Sequence, residues 1–257
     1  MTRQLVIIPT YNEIENVRAI TAAVLELSDP SFDILVVDDG SPDGTGAEVT
    51  KIAEEQPGRV FLLSRSGKQG LGTAYIAGFK WALEHDYDYI LEMDADFSHD
   101  PKSLPKLYEA CHSGGADVAV GSRYLTGINV VNWPLGRVLM SYFASLYVRT
   151  ITGMRVYDAT AGFVCYRAEV LRTIDLDKIH FKGYAFQIEM KYTATLCGFK
   201  IQEVPIIFVN RRLGVSKMSS SIFGEAFFGV LKMRYWSLTH KIPKTTGYET
   251  RREETTD

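Results

Sequence analysis

A chain of 257 residues with 28 Lys and Arg against 31 Asp and Glu carries a net charge of -3, so nothing in its balance argues for nucleic acid as a partner. With 46% apolar residues, 9 Pro and 21 Gly, it is long enough for one large core and reads as a single α/β domain. The three cysteines, Cys111, Cys165 and Cys197, are odd in number and lack a Cys-x-x-Cys pair, and the five histidines are scattered; neither a disulfide framework nor a zinc site is indicated, which fits a reducing cytoplasm.

From the N-terminus, Leu5 to Ile8 before Pro9 is too short an apolar run for a signal peptide, so no export is expected. Leu5 to Ile8, Asp33 to Val37, Val60 to Leu63, Tyr89 to Met93 and Val118 to Val120 read as strands. Between them, Glu13 to Leu27, Asp43 to Glu55, Leu71 to Glu84 and Pro101 to His112 read as helices. Such alternation predicts a mainly parallel, Rossmann-like sheet with helices on both faces. Ser41-Pro42 and Asp100-Pro101 each place a capping side chain before a proline suited to a first helical turn. Beyond Gly121 come a loop, an aromatic-rich helix from Leu135 to Ile151 and two short strands around Lys200 to Val209, read as an elaboration of the same domain. A helix from Ser221 to His240 closes a domain spanning 1–240, and the polar stretch 241–257 is expected to be disordered. Nothing reaches the roughly 20 apolar residues of a membrane span; Ile222 to Leu231 is short and interrupted by Glu225.

In parallel sheets, ligands bind beyond the carboxyl ends of the strands. Three signatures fall there: Pro9-Thr10-Tyr11-Asn12-Glu13, Asp38-Asp39-Gly40-Ser41-Pro42-Asp43-Gly44-Thr45, and Asp94-Ala95-Asp96. Strand alternation would put Asp94 and Asp96 on one side, where two close carboxylates call for a cation, and a divalent metal suits them. An isolated Asp-x-Asp is more often a solvated loop. Of the adjacent Asp38 and Asp39, only one can face the crevice; Asp39 is favoured and suits the N-H groups of a nucleobase. The run Gly67-Lys68-Gln69-Gly70-Leu71-Gly72 matches neither G-x-G-x-x-G nor a Walker motif, yet permits close backbone approach with Lys68 near a phosphate. Arg123, Arg211 and Lys217 are the other cations placed to reach a diphosphate.

Together with Gly-Ser-Arg-Tyr and Ser216-Lys217-Met218-Ser219, these motifs make residues 4 to 240 resemble a dolichol- or polyprenol-phosphate mannose synthase, a branch of the inverting family 2 glycosyltransferases. The resemblance implies an A-type glycosyltransferase domain. It carries donor-binding roles onto Pro9, Tyr11, Glu13, Val37, Asp39, Asp94, Ala95 and Asp96, and phosphate or acceptor roles onto Arg123, Arg211 and Lys217. Asp94 and Asp96 would hold Mg2+ or Mn2+, with Asp96 as principal ligand. Ser98 stands where some relatives carry a metal-binding Gln, so its hydroxyl would act through water or not at all. The implied reaction joins GDP-mannose to dolichyl or polyprenyl phosphate with inversion, in one in-line displacement that needs no general base. Some soluble relatives work with a small membrane subunit.

A lipid acceptor requires an approach to a bilayer. Trp133, Leu139, Tyr142, Phe143, Leu146 and Tyr147 are read on one helix, and Ile222, Phe223, Phe227, Phe228, Leu231, Tyr235 and Trp236 on an amphipathic second; both are candidates for a membrane surface, with core packing as the alternative. The expected location is the cytoplasmic face of a membrane, peripherally bound. The basic, Ser-rich stretch Asn210 to Ser221 reads as a loop that closes over anionic ligands. Glucosyl transfer from a UDP-sugar would use nearly the same acidic logic and stays open beside the mannosyl reading. A non-enzymatic receiver-like module would leave the basic stretch and aromatic helices without a purpose.

Overall fold

The computed structural model describes the backbone of residues 2–210 and 221–239, and the side chains of the same residues apart from 221–226. Four units of strand followed by helix build the first half: β1 (Gln4–Thr10) with α1 (Ile14–Leu25), β2 (Asp33–Asp38) with α2 (Thr45–Glu55), β3 (Val60–Ser64) with α3 (Leu71–Glu84), and β4 (Tyr89–Glu92) with α4 (Leu104–His112). The second half adds β5 (Val118–Ser122), β6 (Val130–Val131), α5 (Leu135–Thr152), β7 (Val164–Arg167), α6 (Ala168–Thr173), α7 (Ala185–Leu196), β8 (Ile201–Pro205), β9 (Phe208–Val209) and α8 (Ser221–Leu238). Seven strands form one sheet in the order β3-β2-β1-β4-β7-β5-β8, and β6 pairs with β9 beside it.

Alternation along the strands divides the core. Val6, Ile8, Ile34 and Val36 pack against α1, α2 and α4, while Leu5, Ile7, Leu35 and Val37 pack against α3, α6 and α7. The expected doubly covered, mainly parallel sheet is what the structure shows. One strand departs from it: β7 pairs antiparallel with both β4 and β5. Its four residues, Val164 to Arg167, carry no period strong enough to announce a reversed strand, and the segment preceding α7 receives no assignment from the sequence alone.

Local chemistry sets the element boundaries. Asp100 caps as expected, its carboxylate accepting from Lys102 N at 3.0 Å, but Pro101 opens a single 3-10 turn before α4 begins. Ser41 does not cap α2. That helix starts later, after Gly44 in a left-handed conformation, and Asp43 accepts from Thr45 N. Asp43 also accepts from Ile14 N, and the Ser41 hydroxyl accepts from Asn12 N at 2.9 Å, so both side chains tie the β1 end to the β2 end.

Helix α3 enters beneath the loop 179–184 at Gly72, whose N-H donates to Lys182 O at 2.8 Å. A Cβ on Gly72 would lie 2.7 Å from Phe186 Cγ, and that ring is locked between Tyr75 and Phe79. Gly72→Ala is therefore expected to lower unfolding stability by ~1–3 kcal/mol through overpacking. Denaturant unfolding checks this; an unchanged midpoint would show that Phe186 is not held as described.

Candidate functional site

The carboxyl ends of β1, β2, β4 and β5 open onto one cavity of about 780 Å³. Pro9, Tyr11 and Glu13 line it after β1, and Asp39 after β2. The neighbouring Asp38 turns inward, accepting from Thr10 Oγ1 at 2.9 Å and from Ser41 N at 3.0 Å, so the pair divides as expected. Asp39 Oδ1 sits 3.0 Å from Arg65 Nε, a residue the sequence did not single out. Burial pushes the Asp39 carboxyl up from its ordinary range, and Arg65 pulls it back. The two meet as a charge contact rather than an aligned hydrogen bond, leaving Asp39 Oδ1 and Arg65 Nη1 buried without a hydrogen-bond partner among the described residues. Val37 is fully buried in the α3-side core and does not line the cavity, because its side chain points below the strand end.

After β4 the chain leaves the sheet at Glu92, so the shared side of Asp94 and Asp96 is set by a turn rather than by strand alternation. Phe97 takes φ 59° at that turn. Asp96 Oδ1 accepts from Ser98 N at 3.0 Å, and both residues are buried. The Ser98 hydroxyl has no hydrogen-bond partner among the described residues and borders the cavity. His99 Nδ1 accepts from Asp94 N at 3.2 Å, and burial pushes its pKa down to about 4, so a neutral ring braces the acidic turn.

Cations line the cavity at several points. Lys68 lies with its ammonium 5.3 Å from the centre of the Tyr11 ring, and Lys182 and Arg137 border the space as well. Arg123 does line the cavity, but it is no free surface cation. Its Nε donates to Asp158 Oδ2 at 2.7 Å, and its Nη2 donates to Asp158 Oδ1 at 2.6 Å and to Thr160 Oγ1 at 2.8 Å. Nη1 alone has no hydrogen-bond partner among the described residues, and the guanidinium sits within an aromatic box of Tyr124, Trp133 and Phe208. Trp133 precedes α5 instead of lying on it, and stacks with Arg137 at 4.0 Å. Arg211, Lys217 and residues 211–220 of the loop expected over Asn210 to Ser221 fall outside the described residues, as does the tail 241–257; Asn210 lines the cavity.

Residues from the unread segment complete the wall: Thr160, Ala161, Gly162, Gly183, Tyr184 and Gln187. The reversal of β7 brings Thr160 to Gly162 here, since its amino end meets the carboxyl ends of β4 and β5, while Gly183, Tyr184 and Gln187 arrive from the start of α7. No spacing signal in the sequence reveals that Asp158 faces Arg123.

Beside the cavity, α5 and α8 pack through Tyr147, which stacks on Phe227 at 4.8 Å and donates to Phe227 O at 3.0 Å. Val230 and Met233 of α8 are buried against α5 and α7, while Phe228, Leu231, Tyr235 and Leu238 are exposed. Among its described side chains, α8 thus has apolar groups both in the core and outside it, with Lys232 and Arg234 exposed beside the latter. Leu135, Leu139, Met140, Phe143 and Leu146 of α5 are exposed too. Among the described residues no helix is long and apolar enough to cross a membrane.

Comparison with known proteins bears on this arrangement. Residues 5–175 match the family model for glycosyl transferase family 2. The chain is 48% identical over 245 residues to a polyprenol monophosphomannose synthase of Mycolicibacterium smegmatis, covering 95% of this chain and 91% of the relative. It is 50% identical over 236 residues to an undecaprenyl-phosphate mannosyltransferase of Micrococcus luteus, covering 92% and 94%. Among solved structures, glucosyl-3-phosphoglycerate synthase from Mycobacterium tuberculosis with Mn2+, UDP-glucose and phosphoglyceric acid superposes with a TM-score of 0.66 at 18% identity, covering 93% of this chain and 80% of that one. That likeness establishes the shared fold.

The Arg123–Asp158 pair makes a sharp prediction. Asp158→Asn leaves a guanidinium buried without its counter-charge, and should cost about 3–5 kcal/mol in stability. The Arg123 contact holds the Asp158 carboxyl below its ordinary value of 3.8, so the pair's contribution is present above that pH and fades as pH falls below it. Unfolding curves from pH 7 to 3 check both points: the gap between wild type and variant should narrow below pH 4. A gap constant with pH would mean Asp158 is not held charged by Arg123.

Proposed function

Because the chain belongs to glycosyl transferase family 2, we propose that it transfers mannose from GDP-mannose to a polyprenyl phosphate, with inversion at the anomeric carbon and with Mg2+ or Mn2+. The observation that carries the reading is the 50% identity to an undecaprenyl-phosphate mannosyltransferase across 94% of that protein's length.

The acidic turn fits the metal. Mg2+ and Mn2+ take oxygen ligands, and Mg2+ sites commonly pair one or two carboxylates with substrate phosphates and waters. Asp94 and Asp96 supply the carboxylates, and the unpartnered Ser98 hydroxyl is a further oxygen at the same edge. When bound, the ion would neutralise charge on the departing diphosphate. Asp39, with Arg65 behind it, offers an acceptor for base N-H groups, and Lys68 faces the diphosphate. Arg123 Nη1, with Arg137 and Lys182, draws in the acceptor phosphate. That phosphate is already ionised near pH 7, so positive charge for its approach matters more than a base. Burial of the pair with Asp158 fixes the Arg123 fork before substrate arrives, which is where electrostatic stabilisation gains most.

The lipid tail accounts for the exposed apolar faces of α5 and α8. Helix α5 reaches the cavity through Arg137 and α8 packs on α5 and on the cavity-lining His180, and together they expose more apolar side chains than a solvated face requires. We read them as the surface that rests on the cytoplasmic side of a bilayer, or on a small membrane subunit.

Two outcomes test this reading. Asp96→Asn should keep the wild-type melting temperature and lower mannosyl transfer on the order of a hundredfold or more. The assay pairs short polyprenyl phosphates with GDP- and UDP-sugars, with Mg2+, Mn2+ or chelator; wild-type preference for a UDP-hexose, or full activity in chelator, would displace the mannosyl or the metal reading. For the surface, Phe228→Ser with Leu231→Ser avoids Phe227, which Tyr147 already holds. Vesicle sedimentation should weaken about tenfold, the scale expected from lost apolar insertion, and the apparent KM should rise for long-chain acceptors but not for short soluble ones. Equal losses with both acceptors would place these side chains in the fold's own stability.

A further inference from the structure

Beneath the cavity wall lies a polar chain that no step above uses. Gln187, on α7, lines the cavity although it is 4% exposed. Its Nε2 donates to Glu92 Oε2 at 2.7 Å, and its Oε1 accepts from Lys191 Nζ at 3.3 Å. Lys191 also donates to Ala161 O at 2.7 Å, holding the backbone of the adjoining wall. Glu92 and Lys191 are both fully buried.

The ionisable groups on either side bear on which way the amide faces. Burial pushes the Glu92 carboxyl up from its ordinary range, so Lys191 is the partner that decides: its ammonium can only donate, and a flipped amide would set N-H groups against it. The orientation is therefore set, at the cost of burying two ionisable groups. A buried pair of this kind adds little stability over apolar residues of equal volume, so its presence calls for another use. Gln187 keeps a second Nε2 hydrogen and a second Oε1 lone pair, and neither has a partner among the described residues. Gly162 stands beside the amide, where even an added Cβ would approach no closer than 3.6 Å to Nε2.

The chemistry of the cavity says what this amide meets. Phosphates are served by Lys68, Arg123, Arg137 and Lys182, and the nucleobase by Asp39. In a glycosyl transfer the sugar lies between the leaving diphosphate and the incoming phosphate. The wall of Ala161, Gly162 and Gln187 is one uncharged stretch of the lining, and Glu92, the last residue of β4, stands two residues before Asp94. A neutral group that both donates and accepts suits a hydroxyl. We propose that Gln187 reads a hydroxyl of the transferred hexose, and that Glu92 and Lys191 are positioning residues that fix which amide atom donates and which accepts.

This inference rests on the glycosyl-transfer reading, and its test separates the two. GDP and GDP-mannose binding are measured by calorimetry, and transfer is measured with GDP-mannose and with donors each lacking one sugar hydroxyl. Gln187→Ala should leave GDP affinity within about twofold, and shrink the extra affinity for GDP-mannose about tenfold, the scale of one hydrogen bond. One deoxy donor should be used equally well by wild type and variant. Glu92→Leu with Lys191→Met, which removes both buried charges together, should keep the melting temperature, raise the KM for GDP-mannose and narrow the same deoxy-donor penalty. Should Gln187→Ala melt early, the apolar triple variant Glu92→Leu, Gln187→Met, Lys191→Met carries the same readout. An unchanged penalty for every deoxy donor, or equal losses of GDP and GDP-mannose affinity, overturns the role of Gln187. If wild type prefers another hexose, the mannosyl reading falls alone, and deoxy forms of that hexose then decide Gln187 by the same criteria.

Discussion

The site depends on the bidentate pairing of Arg123 with Asp158. A guanidinium pointing into a cavity meant for two anionic reactants must be present before either arrives, yet burying it uncompensated would be prohibitive. Asp158 resolves the conflict by taking Nε and Nη2 of a residue that lines the space. The pair also joins two parts of the chain that are remote in sequence: the end of β5 and the approach to β7. Thr160 extends the contact into the wall that Gln187 and Gly162 complete.

That meeting exists because β7 runs against its neighbours. In an all-parallel sheet the amino ends of strands lie opposite the binding edge, and the segment before β7 would be out of reach. Reversal turns an incoming loop into part of the site. It also sets β7 between β4 and β5, so the strand that ends in the acidic turn and the strand that ends in Arg123 flank the loop that serves both. Close packing around Gly72 and Phe186 then presses the loop 179–184 against the opposite rim.

Charge is arranged in the same economical way elsewhere in the cavity. Asp39 has Arg65 behind it, Asp94 has a neutral His99 accepting its N-H, and Gln187 is suspended between Glu92 and Lys191. In each case a residue lining the space is held by a neighbouring side chain. Outside the cavity, the opposite rule applies: α8 buries Val230 and Met233 and leaves Phe228 and Tyr235 uncovered, so its outward face has no partner within the described part of the chain.

The sequence by itself determined the strand-and-helix alternation of the first half, the doubly covered sheet and the convergence of Pro9 to Glu13, Asp39 and Asp94 to Asp96 on one edge. These are legible because apolar runs and turn residues act over a few neighbouring positions, and because the edge of a parallel sheet is fixed by strand direction. It also separated Asp39 from Asp38, since adjacent side chains cannot share a side. It set Ser41 as a helix cap where the turn before α2 runs two residues longer, and the donor role that the resemblance carried onto Val37 falls on a side chain buried in the core. Only the tertiary structure decided that Arg123 is paired, that Trp133 boxes it, and that Arg65, His99, Asp158 and Gln187 belong to the site. Some of these contacts are short-range turns that no apolar period announces, as His99 on Asp94; the Arg123–Asp158 pair joins residues 35 positions apart through the antiparallel insertion of β7, for which a four-residue strand leaves no local signature.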